Sequence, residues 1–587
     1  MASIVMTGGL GNGRFARWRG AGVGPWLVAI LVLLAVITPL LFLILGSFSI
    51  DKLPNDFSLS RVSLDNYRKV WLDPDTYAVV LNTVIYVIGA TTIGISVAAT
   101  LAWLVERTNI PGKAWIYAGV PMILVMPGML QAMAYVLLLS PRIGFINKLI
   151  GSFGLGPLNI YSLTGMIFME GLRLVPTAFL MLVPLLRSMD PTLEEAAAIS
   201  GARPVSMLRK ITLRLVMPGL IAVAIYQTMT ALEAFEIPGI LGLPGRVYVF
   251  STRVYSIVNA TDGIPNYGEA NALSVVYILF ALTATYFYAR VIARSERYSI
   301  VSGKAYRPRE IDLGALRWPA VGFVVAFLLI SAILPLIALL YISFLPYVQQ
   351  PSAAAFRAMS LVNYQSLFES DRIGKTLHNT AILVIATSTL TLIVSVIVSM
   401  VVVRSKFWGR RILDQLAFVP HAIPGIVMGI AFLWLFLKGR SLGVDLFGTV
   451  WAVVIAFTVN FLAYGTRAMN AAILQVHKDL EEAAHVSGAP RWRTMRRIFI
   501  PLLMPSLVGV WIYSMLQSVR QAGMPLMLTE GSKNEVLSVL VWRLWNQGEI
   551  GVVGALGSIL IVIMLMLTLV IRALGFRRGT AVQQTAH

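Results

Sequence analysis

The sequence predicts an all-α polytopic membrane protein with twelve transmembrane helices in two parallel six-helix repeats. Composition, the spacing of the apolar runs and a polar segment that occurs twice carry that expectation. Of 587 residues, 57% are hydrophobic and only 13% charged, about half the charged share of a soluble domain. Mean hydropathy is +0.78. The apolar residues come in runs of roughly 20 or more, long enough to cross a bilayer as helices. They do not alternate in short segments as the strands of a closed barrel would.

A Gly-rich basic tail with Arg14, Arg17 and Arg19 opens the chain. The first apolar run, near Trp26 to Leu45, is longer than a signal-peptide core and shows no small-residue cleavage pattern. It is expected to remain as the first span, with residues 1–23 in the cytoplasm. Runs near 78–104, 115–139, 162–186, 215–234 and 272–292 complete a first half, 24–293. A basic linker, 294–317, carries Arg294, Arg297, Lys304, Arg307, Arg309 and Arg317. The second half, 318–573, has runs near 319–344, 378–403, 414–437, 448–474, 503–523 and 550–571, and a cytoplasmic tail, 574–587, follows.

Charge supports that layout. It places 29 of the 47 Lys and Arg on the cytoplasmic side and 15 on the other, with Arg173, Arg467 and Arg520 inside spans. That asymmetry is what the positive-inside rule expects of a multi-pass protein of the plasma (inner) membrane with both termini cytoplasmic. The net charge of +20 is then mostly topology, with anionic lipid headgroups as neighbours; nucleic acid is not needed. Cysteine is absent, which excludes disulfides, thiolate nucleophiles and Cys-ligated metals.

The polar segment Glu194-Glu195-Ala196-Ala197-Ala198-Ile199-Ser200-Gly201-Ala202 returns as Glu481-Glu482-Ala483-Ala484-His485-Val486-Ser487-Gly488-Ala489, offset by 287. The register holds through Ile211 and Ile498, Tyr226 and Tyr513, and Pro238 and Pro525. Upstream, Asn66-Tyr67 matches Asn363-Tyr364, Asn82-Thr83 matches Asn379-Thr380, and Met126-Pro127-Gly128 matches Ile423-Pro424-Gly425, offset by 297. An even number of spans per half makes the halves parallel, related by an axis along the membrane normal. Glu and Ala favour helix, and Gly201 and Gly488 suit a left-handed turn that ends it. Small residues with flanking glutamates let another protein approach closely. An ordinary connector would have no reason to repeat in register.

This pattern resembles the cytoplasmic loop of binding-protein-dependent ABC importer permeases, which reads Glu-Ala-Ala, three residues, Gly, nine residues, Ile-x-Leu-Pro. Glu482-Ala483-Ala484, Gly488, Ile498 and Ile500-Pro501 match, with Ile for Leu; Glu195-Ala196-Ala197, Gly201, Ile211 and Leu213 match, with Arg214 for the proline. The resemblance covers essentially the whole chain and implies that the loop is a coupling helix seated in a groove of a separate ATPase. It therefore implies ATPase coupling by Glu194, Glu195, Ala196, Ala197, Gly201, Glu481, Glu482, Ala483, Ala484 and Gly488. Two ATPase subunits and a periplasmic or lipid-anchored substrate-binding protein are the implied partners. Glu233-Ala234-Phe235-Glu236-Ile237-Pro238, Met524-Pro525-Leu526 and Val536-Leu537-Ser538-Val539-Leu540 are similar to segments of fused ferric iron permeases, which makes ferric iron the expected substrate. Thiamine, polyamine and phosphonate import are the alternatives, and a secondary transporter the alternative of another class.

The chain is not expected to be an enzyme. Gly374-Lys375-Thr376 mimics a phosphate-binding loop, but its first glycine position is Glu369 and it lies in an external segment. No cofactor is expected on this chain, ATP being used by the partners, and no metal site can be named. Ionisable groups inside spans are pathway candidates. They are Glu170 with Arg173, which pair readily three residues apart; Arg467; and Glu233 with Arg520, equivalent by the 287 offset, together with Glu236. Equivalence suggests that Glu233 and Arg520 face each other. Pro127-Gly128 and Pro424-Gly425 are expected to break or kink the third span of each half, and His421 is expected to be a packed residue.

Overall fold

The computed structural model describes residues 23–54, 60–154, 156–187, 200–201, 208–259, 265–295, 310–441 and 443–566. Among these residues the regular elements are all helices, without strands, and isolated bridges occur at Ser49–Val62 and Thr108–Ile311. Eight helices are long and apolar enough to span a membrane: Val23–Ser47, Pro74–Arg107, Leu163–Arg187, Lys210–Glu233, Gly314–Ser343, Asp371–Arg404, Val450–Gln475 and Trp492–Arg520. Two bent pairs bring the number to as many as ten, and two runs fall on the shorter apolar helices Tyr267–Thr283 and Ile550–Met566.

The bent pairs sit at the two Pro-Gly steps. Lys113–Val125 and Gly128–Leu139 meet at 94°, and Arg410–His421 and Gly425–Ser441 at 107°. These are breaks rather than kinks, and the cause is local. Proline pushes the preceding residue out of the α region, and Met126 (φ −81°, ψ 120°) and Ile423 (φ −109°, ψ 124°) are both extended. Backbone freed this way must find partners inside the protein.

The chain gathers into two compact units that cut across the sequence halves. Among the described residues, one combines 23–46 with Leu377–Val519 and Met524–Val536; the other combines those within Ser47–Thr376 with Arg520–Gly523 and 537–566. In the first, Trp26 packs edge-on against Phe407, with ring centres 5.0 Å apart. In the second, Gly314–Ser343 docks on Gly128–Leu139 through backbone carbonyls. Pro335 has no N–H to offer the Ser331 carbonyl four residues back, and Gln131 Nε2 donates there instead at 3.0 Å. Tyr135 donates to the neighbouring Ile330 carbonyl at 2.5 Å, in a one-turn π segment, Leu329–Ile333.

Repeated sequence means repeated hydrogen bonds. Asn66 Nδ2 donates to the Ser47 and Ser49 carbonyls, and Asn363 Nδ2 to those of Ser343 and Leu345. Tyr67 and Tyr364 bond the hydroxyls of Ser47 and Ser343. Asn82 Nδ2 reaches the Tyr248 carbonyl at 3.2 Å, and Asn379 Nδ2 reaches those of Lys533 and Glu535 at 3.1 Å; Tyr248 and Glu535 are 287 apart. The conserved spacing of the asparagines therefore records clasps that close each half. At the linker's far end, Asn109 Nδ2 and the Gly314 N–H hold the Asp312 carboxyl below its usual range.

Candidate functional site

The second copy of the polar repeat is a helix, Lys478–Val486. Gly488 takes φ 73° and the Ala489 N–H returns to the Ala484 carbonyl at 3.0 Å, the six-to-one bond of a glycine-terminated helix. Pro490, the helix Arg491–Thr494 and a π turn, Met495–Phe499, then lead into Ile500–Arg520. Glu482 and Ala483 are exposed, and Glu481 and Ala484 half-buried. Large apolar groups stand out beside them: Val486 is 89% exposed and Trp492 70%. In the first copy, Glu194, Glu195, Ala196 and Ala197 lie outside the described residues. Gly201 is described, with φ 78°. A Cβ at either glycine would meet nothing within 4 Å, so both turns face open space.

Beneath this loop lies a small core. Phe499, Ile473, Val476 and Met469 pack together. Arg404, the last residue of Asp371–Arg404, points its Nη2 at the Ile473 and Val476 carbonyls (3.1 and 2.5 Å) and its guanidinium carbon lies 5.6 Å from the Phe499 ring centre. Nothing in the motif pointed to this arginine; the signal was that Arg107 lies 297 residues earlier, in repeat register.

Of the pathway candidates, Glu170 and Arg173 form a two-armed ion pair, with Nε to Oε2 at 2.9 Å and Nη2 to Oε1. Glu170 is fully buried. Gly128 lies close beside Arg173, and a Cβ there would stand 3.0 Å from its Cδ. Glu233 and Arg520 each close a 21-residue helix, Leu213–Glu233 and Ile500–Arg520, so their equivalence extends to local structure. Glu236 Oε1 accepts the Ala522 N–H at 3.2 Å. Arg467 pairs with Asp414 at 3.3 Å and lies over the Phe418 ring, while His421 packs against Phe418. Among the described residues no group of three His, Asp or Glu is placed to hold a metal ion.

Sequence reasoning missed an aromatic cluster. Phe235, Tyr255 and Trp542 have ring centres 5.3 to 5.6 Å apart, and Trp542 Nε1 donates to Tyr255 at 3.2 Å. The signal was present, for Tyr255 and Trp542 are themselves 287 apart.

The family model described as "Binding-protein-dependent transport system inner membrane component" matches this chain twice, over residues 78–297 and 391–578. A protein named for ferric transport, FbpB 1 of Haemophilus influenzae, is 26% identical over 436 residues, 73% of this chain and 66% of that protein. The ferric transport system permease protein FbpB of Actinobacillus pleuropneumoniae is 26% identical, over 82% of this chain and 68% of its own length. The match thus spans about two thirds of those relatives. An ABC transporter permease named y4fN in Sinorhizobium fredii is 24% identical over 85% of both chains. With two copies of the family model covering more than half of it, the chain belongs to the binding-protein-dependent transport system inner membrane components, with two permease halves in one polypeptide.

Proposed function

We propose that this permease forms the translocation pathway of an ATP-driven importer and that its cargo is ferric iron. The observation that carries the coupling reading is the loop at 478–494. It holds Val486, Trp492 and an open Gly488 turn where apolar surface exposed to water is unfavourable unless a partner covers it. Two copies of an ABC ATPase would dock there and on the matching loop of the first half. ATP would be hydrolysed by those subunits, with no cofactor on this chain. A periplasmic or lipid-anchored binding protein would deliver cargo to the outer face. In this reading the two shorter apolar helices also cross the membrane, giving twelve spans with both termini cytoplasmic. The pathway would be lined by Glu233, Glu236 and Arg520, with Glu170, Arg173 and Arg467 as the further candidates. The names of the relatives support iron; thiamine, polyamines and phosphonates are the next cargoes to try.

The test is uptake of labelled ferric iron in cells lacking the chain, complemented with wild type or with Gly201→Asp/Gly488→Asp. Uptake with wild type alone is expected. Equal uptake in all three would remove iron as the cargo. Normal uptake by the double variant would sink the coupling loops, and uptake that persists without the ATPase would favour a secondary transporter. A Glu233→Arg/Arg520→Glu exchange that transports no better than either single change would break their pairing.

A further inference from the structure

We propose that Arg404 is a positioning residue that holds the base of the cytoplasmic loop and passes its movement to the spans. The proposal rests on the reading of that loop as the ATPase-docking element. Three pieces of chain meet at Arg404. It ends one span, Asp371–Arg404. Its Nη2 takes the carbonyls of Ile473 and Val476, where another span, Val450–Gln475, runs out into the loop. Its guanidinium face lies over Phe499, which is 2% exposed and sits where the loop re-enters. The last carbonyls of a helix lack donors of their own, and a cation there is favoured by the helix dipole. A cap alone would explain the Ile473 bond. It does not explain why the same group also grips the first residue past the helix and the returning limb. Pulling on either limb must therefore move the end of Asp371–Arg404.

The first half makes the equivalent contact independently. Arg107 Nη2 donates to the Leu186 carbonyl at 2.8 Å, and Arg107 is 1% exposed. Leu186 and Ile473 are 287 apart, Arg107 and Arg404 297 apart, so each residue follows the offset of its own segment. The surroundings have diverged. Arg187 bonds Glu106 and Tyr117 in the first half, where the second has Leu474, Val403 and Asp414. An arginine retained while its neighbours change is doing something the neighbours do not.

The experiment uses the full chain with its ATPase and binding protein in proteoliposomes. Radiolabelled ferric iron is the probe, and uptake is divided by ATP hydrolysed. Arg404→Ala is expected to keep the ATPase bound and hydrolysing while uptake per ATP falls at least tenfold. Arg404→Lys, which keeps the charge but not the planar fork, should fall between. Should wild type move no iron, the readout is the binding protein's stimulation of ATP hydrolysis, which Arg404→Ala should abolish. Should Arg404→Ala not fold, Arg404→Lys and Phe499→Leu carry the test. Unchanged coupling with the ATPase retained overturns this proposal alone. Wild type that binds no ATPase overturns the docking reading and this proposal together. Loss of the ATPase from Arg404→Ala, as from Gly488→Asp, would make Arg404 part of the docking surface and also overturn the positioning role.

Discussion

The second and fourth spans of each half occupy equivalent places in the sequence repeat and are built from different chemistry. In the first half, Pro74–Arg107 and Leu163–Arg187 enclose Tyr86 and the Glu170–Arg173 pair. At their ends Arg187 pairs with Glu106 and Arg107 bonds the Leu186 carbonyl; between, Gly94 lies against Leu174 and Gly171 against Ile93, with Ala98 and Ala178 in the core. In the second half, Leu383, Phe457 and Asn460 stand at the equivalents of Tyr86, Glu170 and Arg173. The positions of Ala90, Gly94, Ala98 and Ala102 hold Thr387, Thr391, Ser395 and Ser399, all fully buried. The first half carries two ion pairs, Glu170–Arg173 within one helix and Arg187–Glu106 between the two, and the second lines up a row of buried hydroxyls. Either suits a helix pair in lipid, where close approach and a few polar contacts do the holding. The repeat thus conserves geometry, not the means of reaching it.

The largest effect that would sharpen this contrast is expected at Glu170. Glu170→Gln leaves the half-buried Arg173 without its bonded carboxylate, and breaking a buried pair costs up to about 3–5 kcal/mol. Thermal unfolding of the purified protein should show it, whereas Phe457→Leu, at the equivalent place, should lower stability by about 1 kcal/mol. Equal losses would break the comparison.

Next comes Gly465. A Cβ there would stand 2.1 Å from Ser395 Oγ, so Gly465→Ala should cost about 1–3 kcal/mol by overpacking. Adding Ser395→Ala recreates the Ala98 and Ala178 pair of the first half and should return part of the loss, since the residue 395 Cβ itself stands 2.9 Å away. Melting of the single and double variants checks it, and no recovery would mean that the two helix pairs are not interchangeable.

The asparagine clasps rank third. Asn379→Ala gives up bonds to two carbonyls and Asn82→Ala a bond to one, for losses of about 2 and 1 kcal/mol. Denaturant midpoints would rank them. The smallest effect is expected from replacing Ser399 by the Ala of the first half, which gives up its bond to the Thr466 carbonyl for about 0.6 kcal/mol within the membrane.

Much of the fold was legible because lipid demands long apolar helices and a duplicated chain shows its register. Among the described residues the twelve apolar runs lie mainly on helix, and Gly488 takes the left-handed turn its place in the motif required. The breaks at Pro127 and Pro424 were visible, but not their angle, which depends on what packs around them. Arg107, Arg404 and the Phe235–Tyr255–Trp542 cluster escaped because their partners are backbone carbonyls or distant rings, which carry no local motif. The grouping into units escaped for the same reason. Apolar runs say that a helix crosses, never which neighbour it chooses.

That choice has a consequence for how the protein is made. Gln131 and Tyr135 bond carbonyls of Ser331 and Ile330, on the far side of the linker. A ribosome that has released residue 295 has delivered every span of the first half without the helix those two side chains need. Until Gly314–Ser343 arrives, their polar ends must be met by water or lipid headgroups, so chains arrested after residue 295 should be cut by protease faster within 113–139 than chains arrested after 343. The first half is finished only when the second has begun, and joining the two in one polypeptide ensures that the missing helix is always the next to emerge.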